Sequence, residues 1–358
     1  MSPAESAAIP EADPVVPRTP AALRSHLPAA PTSSVDDRGE PRFGAYAGHL
    51  PSVAWDGLRG PHARSRLWRL FHEKRWHYVS IAGPRVSLAA LVADLGWTAL
   101  AWAYVFDRAT RTMLFDKSYM GVQKVTHRVA DRAGDGARTT FQGLGASLRI
   151  ERPPGSPIWR VQGEGPGGFL LDASLDATAG PATLLAIAPI AGGVANATHK
   201  TVGLPARGEV RAGGKVFDLD GHFGSLDHTA GLLARETNWR WASASGARVG
   251  LNLVEGFNGP VENVLWLDGE AHPAGEAVFE FDKSDHLKPW KVRTKNGMID
   301  LVFTPEGARR EDKKLVVAES WYVQPIGTFS GTVRAAPGAP PVEVRDLVGV
   351  TEDHVAKW

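Results

Sequence analysis

Residues 97–107 read Trp-Thr-Ala-Leu-Ala-Trp-Ala-Tyr-Val-Phe-Asp, and large and small side chains alternate along them. Thr98, Leu100, Trp102, Tyr104 and Phe106 share one parity; Trp97, Ala99, Ala101, Ala103 and Val105 share the other. Neighbouring side chains on a strand point to opposite faces, so this strand has a large apolar face and a small one. A strand without a polar face is covered on both sides, as where two layers or barrels touch. Asp107 to Arg111 then reads as a turn, and Thr112 to Tyr119 as the returning strand of a hairpin.

Working outward, strand signals dominate from Trp76 onward. A 3.6-residue apolar period is visible only over Ala63 to Lys74, which predicts a short helix. Ala277, Phe279 and Phe281 alternate with Glu276, Val278, Glu280 and Asp282, the in/out pattern of a half-buried antiparallel strand. Glycine-bearing turns fall at Gly213-Gly214, Asp268-Gly269 and Asn296-Gly297, the last a favoured two-residue hairpin connection. This is the chemistry of a β-meander or barrel. At 358 residues the chain exceeds the size at which one core stops growing. Six tryptophans lie before residue 180 and six after it, and the glycine-containing stretch 184–200 is weakly patterned. The expected division is a disordered tail over 1–36, one β-domain over 37–190 and a second over 191–358.

Composition excludes more than it selects. Forty basic against 39 acidic side chains leave +1, and no Lys/Arg-rich block suggests a nucleic-acid partner. Cysteine is absent, which removes disulfides, thiolate catalysis, cysteine-ligated zinc and iron–sulfur clusters. The first 36 residues are rich in Pro, Ala and Ser and carry Glu5, Glu11 and Asp13 where a signal peptide would be basic and then apolar, so a cytoplasmic location is expected. The longest apolar run, 184–195, is too short to span a bilayer.

Gly163, Gly165 and Gly168 satisfy G-x-G-x-x-G by spacing, but Pro166 interrupts them and Phe169 to Leu175 reads as a strand, which predicts a hairpin loop instead of a dinucleotide site. Asp218, Asp220 and His222 share a strand parity that could ligate a divalent ion; Gly221 and Gly224 favour a turn with solvated acids, and no metal site is assigned.

The dense stretch is 223–269. Asp227, His228, Glu236, Trp239, Trp241, Asn252, Glu262, Asn263, Trp266 and Asp268 fall on what read as successive strands. Unpaired buried carboxylates are costly, so such residues are expected to line a cavity. Trp239 and Trp241 share a face while Arg240 points to a carboxylate or to solvent; Glu262 and Trp266 share a parity; Asp268-Gly269 is a turn. Thr198-His199-Lys200 adds a short polyfunctional segment. Thr351-Glu352-Asp353-His354 reads as a helix cap with solvated acids.

In order and spacing, Asp37-Arg38-Gly39, Lys74-Arg75-Trp76-His77-Tyr78, Thr198-His199-Lys200, Asp227 with Gly231, Trp239-Arg240-Trp241-Ala242, Glu262-Asn263 with Trp266 and Asp268-Gly269, and Gly349 before Glu352-Asp353-His354 resemble the bacterial domain-of-unknown-function family 2804. More distantly, the chain is similar to the two-barrel lipocalin-like proteins that include carotenoid 1,2-hydratase and AttH-type proteins. That resemblance implies two antiparallel calycin-like barrels or curved sheets side by side, few helices and a greasy ligand between or inside them. In those proteins a conspicuous acid follows a glycine and precedes a tryptophan-glycine pair. Here Asp227-His228 is followed by Thr229-Ala230-Gly231, so only Asp227 is carried over.

The resulting expectation is an enzyme without a cofactor that performs hydration, dehydration, cyclisation or isomerisation on a hydrophobic small molecule such as a lipid, isoprenoid or polyketide. Asp227 or Glu262 would be the general acid, and His228 or His199 a proton relay. Lys200, Glu236, Trp239, Trp241, Asn252, Asn263 and Trp266 would bind the ligand. The rival readings are a lipid or pigment carrier of lipocalin type and a side-chain-filled scaffold for protein partners.

Overall fold

The computed structural model describes residues 26–143, 145–314 and 319–357. Among the described residues two antiparallel sheets, of 14 and 9 strands, build the fold. They are joined by short turns and one α-helix, Arg66–His72, which lies inside the periodic stretch 63–74 and is capped by the Ser65 side chain. The first sheet is nearly closed into a barrel and the second is a half barrel.

The principal path of the first sheet runs Thr112–Gly121, Ala99–Asp107, Val86–Asp94, Glu73–Ala82, Phe223–Leu232, Ala195–Ala212, Phe169–Asp176, and onward through Ile158–Gly165, Ala146–Glu151 and Arg138–Gly143 to His127–Arg128. The second is a meander centred on Glu236–Ser245 and Val342–Lys357, with the long hairpin strands Ile299–Lys314 and Glu319–Val333 beside them. The sheets change over at residues 233–235. Strands Ala195–Ala212 and Phe223–Leu232, placed beyond a boundary near 190 by sequence pattern, are therefore hydrogen-bonded into the first sheet. The weak pattern over 184–200 conceals Leu184–Pro189, which pairs with the start of Ala195–Ala212.

The strand Ala99–Asp107 explains why the sheets sit together. Ala101, Ala103 and Val105 enter the interior of the first sheet beside Val79, Leu88 and Phe141. Trp102, Tyr104 and Phe106 pack on Trp241, Tyr322, Ile326 and Val350 of the second sheet. Large side chains cover the inter-sheet face because it must bridge two layers, whereas small ones suffice inside the curved sheet. A second apolar contact joins Val264 and Trp266 to Leu184, Ala186 and Val202. Gly307 marks one close approach: a Cβ there would lie 2.5 Å from the Phe106 ring, and Phe106 is only 2% exposed and cannot move aside. Gly307→Ala is expected to cost about 1–3 kcal/mol of overpacking, read as a lower urea midpoint with unchanged slope.

Residues 26–36 correct part of the expected tail. Ala30 donates its backbone N–H to Ala47 (2.8 Å), Ala47 donates to Pro28 (2.7 Å), and Val35 is buried with Leu50, Val53 and Trp55. Small and proline residues disguise an edge segment that needs only a few apolar anchors; residues 1–25 lie outside those described. Thr351-Glu352-Asp353-His354 is likewise no helix cap but the inner part of the strand Val342–Lys357, where alternation puts Glu352 and His354 on one face.

Turn chemistry holds where glycine demands it. Asp268 and Gly269 both have positive φ (50° and 88°), as a tight two-residue hairpin turn requires. Gly163 to Gly168 ends the strand Ile158–Gly165 and turns into Phe169–Asp176, a hairpin loop. Asp218 accepts the backbone N–H of Asp220 (2.9 Å) in a surface turn.

Candidate functional site: a cavity between the two sheets

Antiparallel register aligns two rows of side chains across three strands of the first sheet. Lys200, Asp227 and Tyr78 are mutual partners in one row, and His199, His228 and His77 in the next. Adjacent rows point to opposite faces. The first faces the second sheet; the second faces the interior of the first, where His77 meets Trp159 edge-on.

At the inter-sheet face Lys200 Nζ donates to Asp227 Oδ2 at 2.5 Å and lies 3.0 Å from Glu262 Oε1. Glu262 comes from the opposite side, on the single-turn helix Gly259–Glu262. Thr198 and Thr229 donate to Asp227 Oδ1 at 3.2 and 2.9 Å. Asn258 donates to Glu262 Oε2, and Asn252 donates to the Glu262 carbonyl at 3.0 Å while accepting from Trp241 Nε1 at 2.8 Å. The Lys200 ammonium stands 5.5 Å over the Trp241 ring. Burial alone would lower the Lys200 pKa, but Asp227 and Glu262 outweigh it and raise it above its ordinary value. Lys200→Met removes the one cation between two buried carboxylates and is expected to cost about 3–5 kcal/mol. Denaturant melts of the variant and the unmodified chain at pH 7 measure it, and an unchanged midpoint would mean that the two carboxylates do not depend on the ammonium.

These groups line the inner end of a cavity of about 160 Å³ between the sheets. Its walls are mainly aromatic: Trp76, Trp97 and Trp102 from the first sheet, Trp239, Trp241 and Phe257 from the second. The same cavity holds a second polar group, which has no counterpart among the site residues expected from sequence. Glu352 accepts from Trp239 Nε1 (2.6 Å) and from Gln324 Nε2 (3.0 Å), and His354, beside it, meets Ser320 Oγ at 3.1 Å and the Trp239 ring edge-on. The Tyr322 hydroxyl is buried without a hydrogen-bond partner; burial first, and then Glu352, pushes its pKa well above the ordinary value. Arg309 braces the floor, stacked 4.4 Å from Trp102 and paired with Asp116 across the sheet interface at 3.1 Å. The signal for Glu352 and His354 was their i, i+2 spacing, legible only once the segment is a strand.

Of the residues singled out from sequence, the structure brings Asp227, Glu262, Lys200, Trp239 and Trp241 to the cavity. Asn252 stands behind them and holds both Trp241 and Glu262. It does not bring His228 or His199 there. His228 meets the Ala130 carbonyl at 2.7 Å, and His199 accepts the Leu50 N–H at 3.2 Å and stacks on His49, both on the far face of the sheet. A residue next to Asp227 on a strand cannot share its face, so a relay through either imidazole is not formed. Trp266 donates to the Ala182 carbonyl (2.8 Å) and fills the second inter-sheet contact; it does not share a surface with Glu262, because Glu262 belongs to a helical turn. Asn263 bonds Val254 and Gly275 backbone and fixes the loop. Glu236 is exposed and pairs with Lys357 at 3.1 Å. Arg240 points away from the two tryptophans and lies 3.4 Å from Asp353.

The site thus defines an all-β class of protein in which two curved antiparallel sheets, one nearly closed and one a half barrel, enclose an aromatic cavity with a charged inner end. The chain belongs to the Domain of unknown function (DUF2804) family, whose model matches residues 28–358. A search of curated protein sequences finds no match. Among solved structures it is similar to CghA with Sch210972, at 11% identity and a TM-score of 0.50 over 92% of this chain and 97% of that one. It is also similar to an AttH-like protein from Nitrosomonas europaea, at 12% identity and a TM-score of 0.50 over 86% and 99%. Kievitone hydratase from Nectria haematococca aligns at 10% identity and a TM-score of 0.46 over 83% and 93%. These likenesses concern the fold. No helix among the described residues is long and apolar enough to cross a membrane.

Proposed function

We propose that this protein is an enzyme that uses its own side chains for acid/base chemistry on a hydrophobic small molecule held between the sheets: hydration, dehydration, cyclisation or isomerisation. The observation that carries the reading is the convergence of Asp227, Glu262 and Lys200, from separate segments, on the inner end of an aromatic cavity. Two carboxylates facing one ammonium carry a formal charge of −1, and one added proton makes the group neutral. That proton is the one the site can deliver to an alkene carbon or a departing hydroxyl. The carbocation that results faces the rings of Trp76, Trp239 and Trp241 and the restored carboxylate, both of which favour positive charge. Loss of a neighbouring C–H proton to the carboxylate completes an isomerisation or dehydration, and addition of water with loss of its proton completes a hydration. The shared fold, in which CghA is seen with Sch210972, supports a small-molecule ligand.

A carrier is the second reading, favoured by the full engagement of Glu262, whose two oxygens are already met by Lys200, Asn252 and Asn258. Native mass spectrometry of protein purified from its own host separates the two. Conversion of the co-purified ligand on incubation to a species of altered mass supports the enzyme; a stoichiometric ligand that persists unchanged overturns it in favour of the carrier.

A further inference from the structure

Half of the strongly exposed large apolar side chains of the described chain fall in two short segments: Leu67, Leu70 and Phe71 on the helix Arg66–His72, and Met120, Val122 and Val125 around the turn after Thr112–Gly121. Leu67 is 70% exposed and Val125 76%. Both segments are tied to the loop that follows Val86–Asp94. Lys74 Nζ donates to the carbonyls of Phe71 (2.7 Å) and Leu95 (2.6 Å), burying its charge to fasten the helix end to that loop. From the other side Gln123 donates to Asp94 Oδ1 (2.9 Å) and Thr98 Oγ1 to the Gly121 carbonyl (3.0 Å). The loop between them carries Leu95 and Trp97, which with Met120 line the mouth of the inter-sheet cavity. Met120 thus belongs both to the exposed set and to the cavity wall, and the helix adjoins that wall through the loop, where Gly96 packs against the Leu70 carbonyl.

Its charges are one-sided. Asp56 and Glu73 are paired with Arg69, and Asp94 is taken by Gln123, the Gly96 N–H and His127. Arg64, Arg66 and Lys124 are exposed and have no acidic partner among the described residues; Arg64 meets only the carbonyls of Pro61 and Ala63 and stacks on Trp68. Isolated exposed apolar residues need no explanation, but a contiguous set rimmed by unpaired cations marks an interaction surface. Apolar tips that dip below a ring of Arg and Lys complement a bilayer with anionic headgroups, which offers hydrocarbon beneath negative charge.

We infer that this face docks the protein on an anionic membrane surface, with the cavity mouth turned to the lipid so that a hydrophobic ligand passes between bilayer and cavity without crossing water. The ligand part of this inference rests on the proposed function; the docking part does not. The test is co-sedimentation of the full chain with phosphatidylcholine vesicles, with and without about a third phosphatidylglycerol, at low and high salt. Binding should be strong only with the anionic lipid and should fall as salt rises. Leu67→Glu with Val125→Glu should weaken it by about tenfold or more, since both positions are solvent-exposed in the free protein and their apolar surface is what would be buried. Arg66→Glu with Lys124→Glu should weaken it by about fivefold or more per cation replaced. Circular dichroism and melting of both variants should match the unmodified chain. No vesicle binding, or binding that both variants retain in full, overturns the inference. So does a sedimentation equilibrium showing that the same variants abolish a dimer of this chain while vesicle binding is absent. Loss of docking with the cavity chemistry intact would leave the proposed reaction standing, and docking without conversion would leave only the surface.

Discussion

Asp227→Asn is expected to lower turnover of the converted ligand by about 10²–10⁴-fold, the usual contribution of a positioned general acid or base. Stability should change by only about 1 kcal/mol. The amide can keep its oxygen toward Lys200 while its N–H groups donate to Thr198 and Thr229, whose hydroxyls accept as well as donate. Lys200 also retains Glu262 at 3.0 Å, so no buried ammonium is left unpaired. Replacing the carboxylate therefore removes the transferable proton and little else. The measurement pairs a kinetic assay on the ligand found by mass spectrometry with a thermal melt. A variant that melts far earlier and loses activity only in proportion would assign Asp227 to holding the sheets; one with unchanged turnover would remove it from the chemistry.

The second large effect is acid sensitivity of the first sheet. His228 and His49 have pKa values lowered to about 4, and His77 and His199 are held well below the ordinary imidazole value, all chiefly by burial. Neighbouring imidazoles add to this in His77 and His199, and Arg152 in His49. In the unfolded chain these side chains take a proton near pH 6.5, which folded His228 and His49 refuse until about pH 4; His77 and His199 are shifted in the same direction. The unfolded state thus binds more protons in that window, and stability is full above it and lost as pH falls through it. His228 alone removes about 1.4 kcal/mol per pH unit there. His49 adds a loss of the same kind over the same window, and His77 and His199 act in the same direction. Urea midpoints at pH 7.5, 6.5 and 5.5 check this: a steep fall is expected, reduced in His228→Gln, and a flat profile would mean that the imidazoles have water or acidic partners.

The same histidines show what strand alternation reveals and what adjacency in sequence conceals. Asp227 and His228 are neighbours in the chain and were read as one functional unit, yet a strand sends them to opposite faces, one toward the cavity and one into the first sheet. Lys200 and Asp227, 2.5 Å apart in space, are set side by side by the register of two strands, a long-range property that no local pattern encodes. Glu352 was misread because Thr351-Glu352-Asp353-His354 has good capping chemistry; hydrogen bonding to Glu236–Ser245 and Glu319–Val333 overrides that local preference. Trp266 and Asn263 look much like Trp241 and Asn252 in sequence, and only their position along the sheet separates a wall from a wedge.

Local chemistry was sufficient for the elements themselves: the two-faced strand around Trp102, the short helix before Trp76, the two-residue turn at Asp268-Gly269, and the parity that sends Arg240 away from its flanking tryptophans. These depend on side-chain alternation and on the φ angles glycine and aspartate tolerate, which act over a few residues. Asn296-Gly297 also turns the chain, but within a four-residue connection over 295–298 in which Gly297 takes the positive φ, not as the expected two-residue turn. Tertiary structure decided which strands join which sheet, that residues 26–36 are packed, and that Lys200, Asp227 and Glu262 meet. Those outcomes come from pairing and burial between segments far apart in the chain, where the free energy of closing the cavity depends on every strand at once.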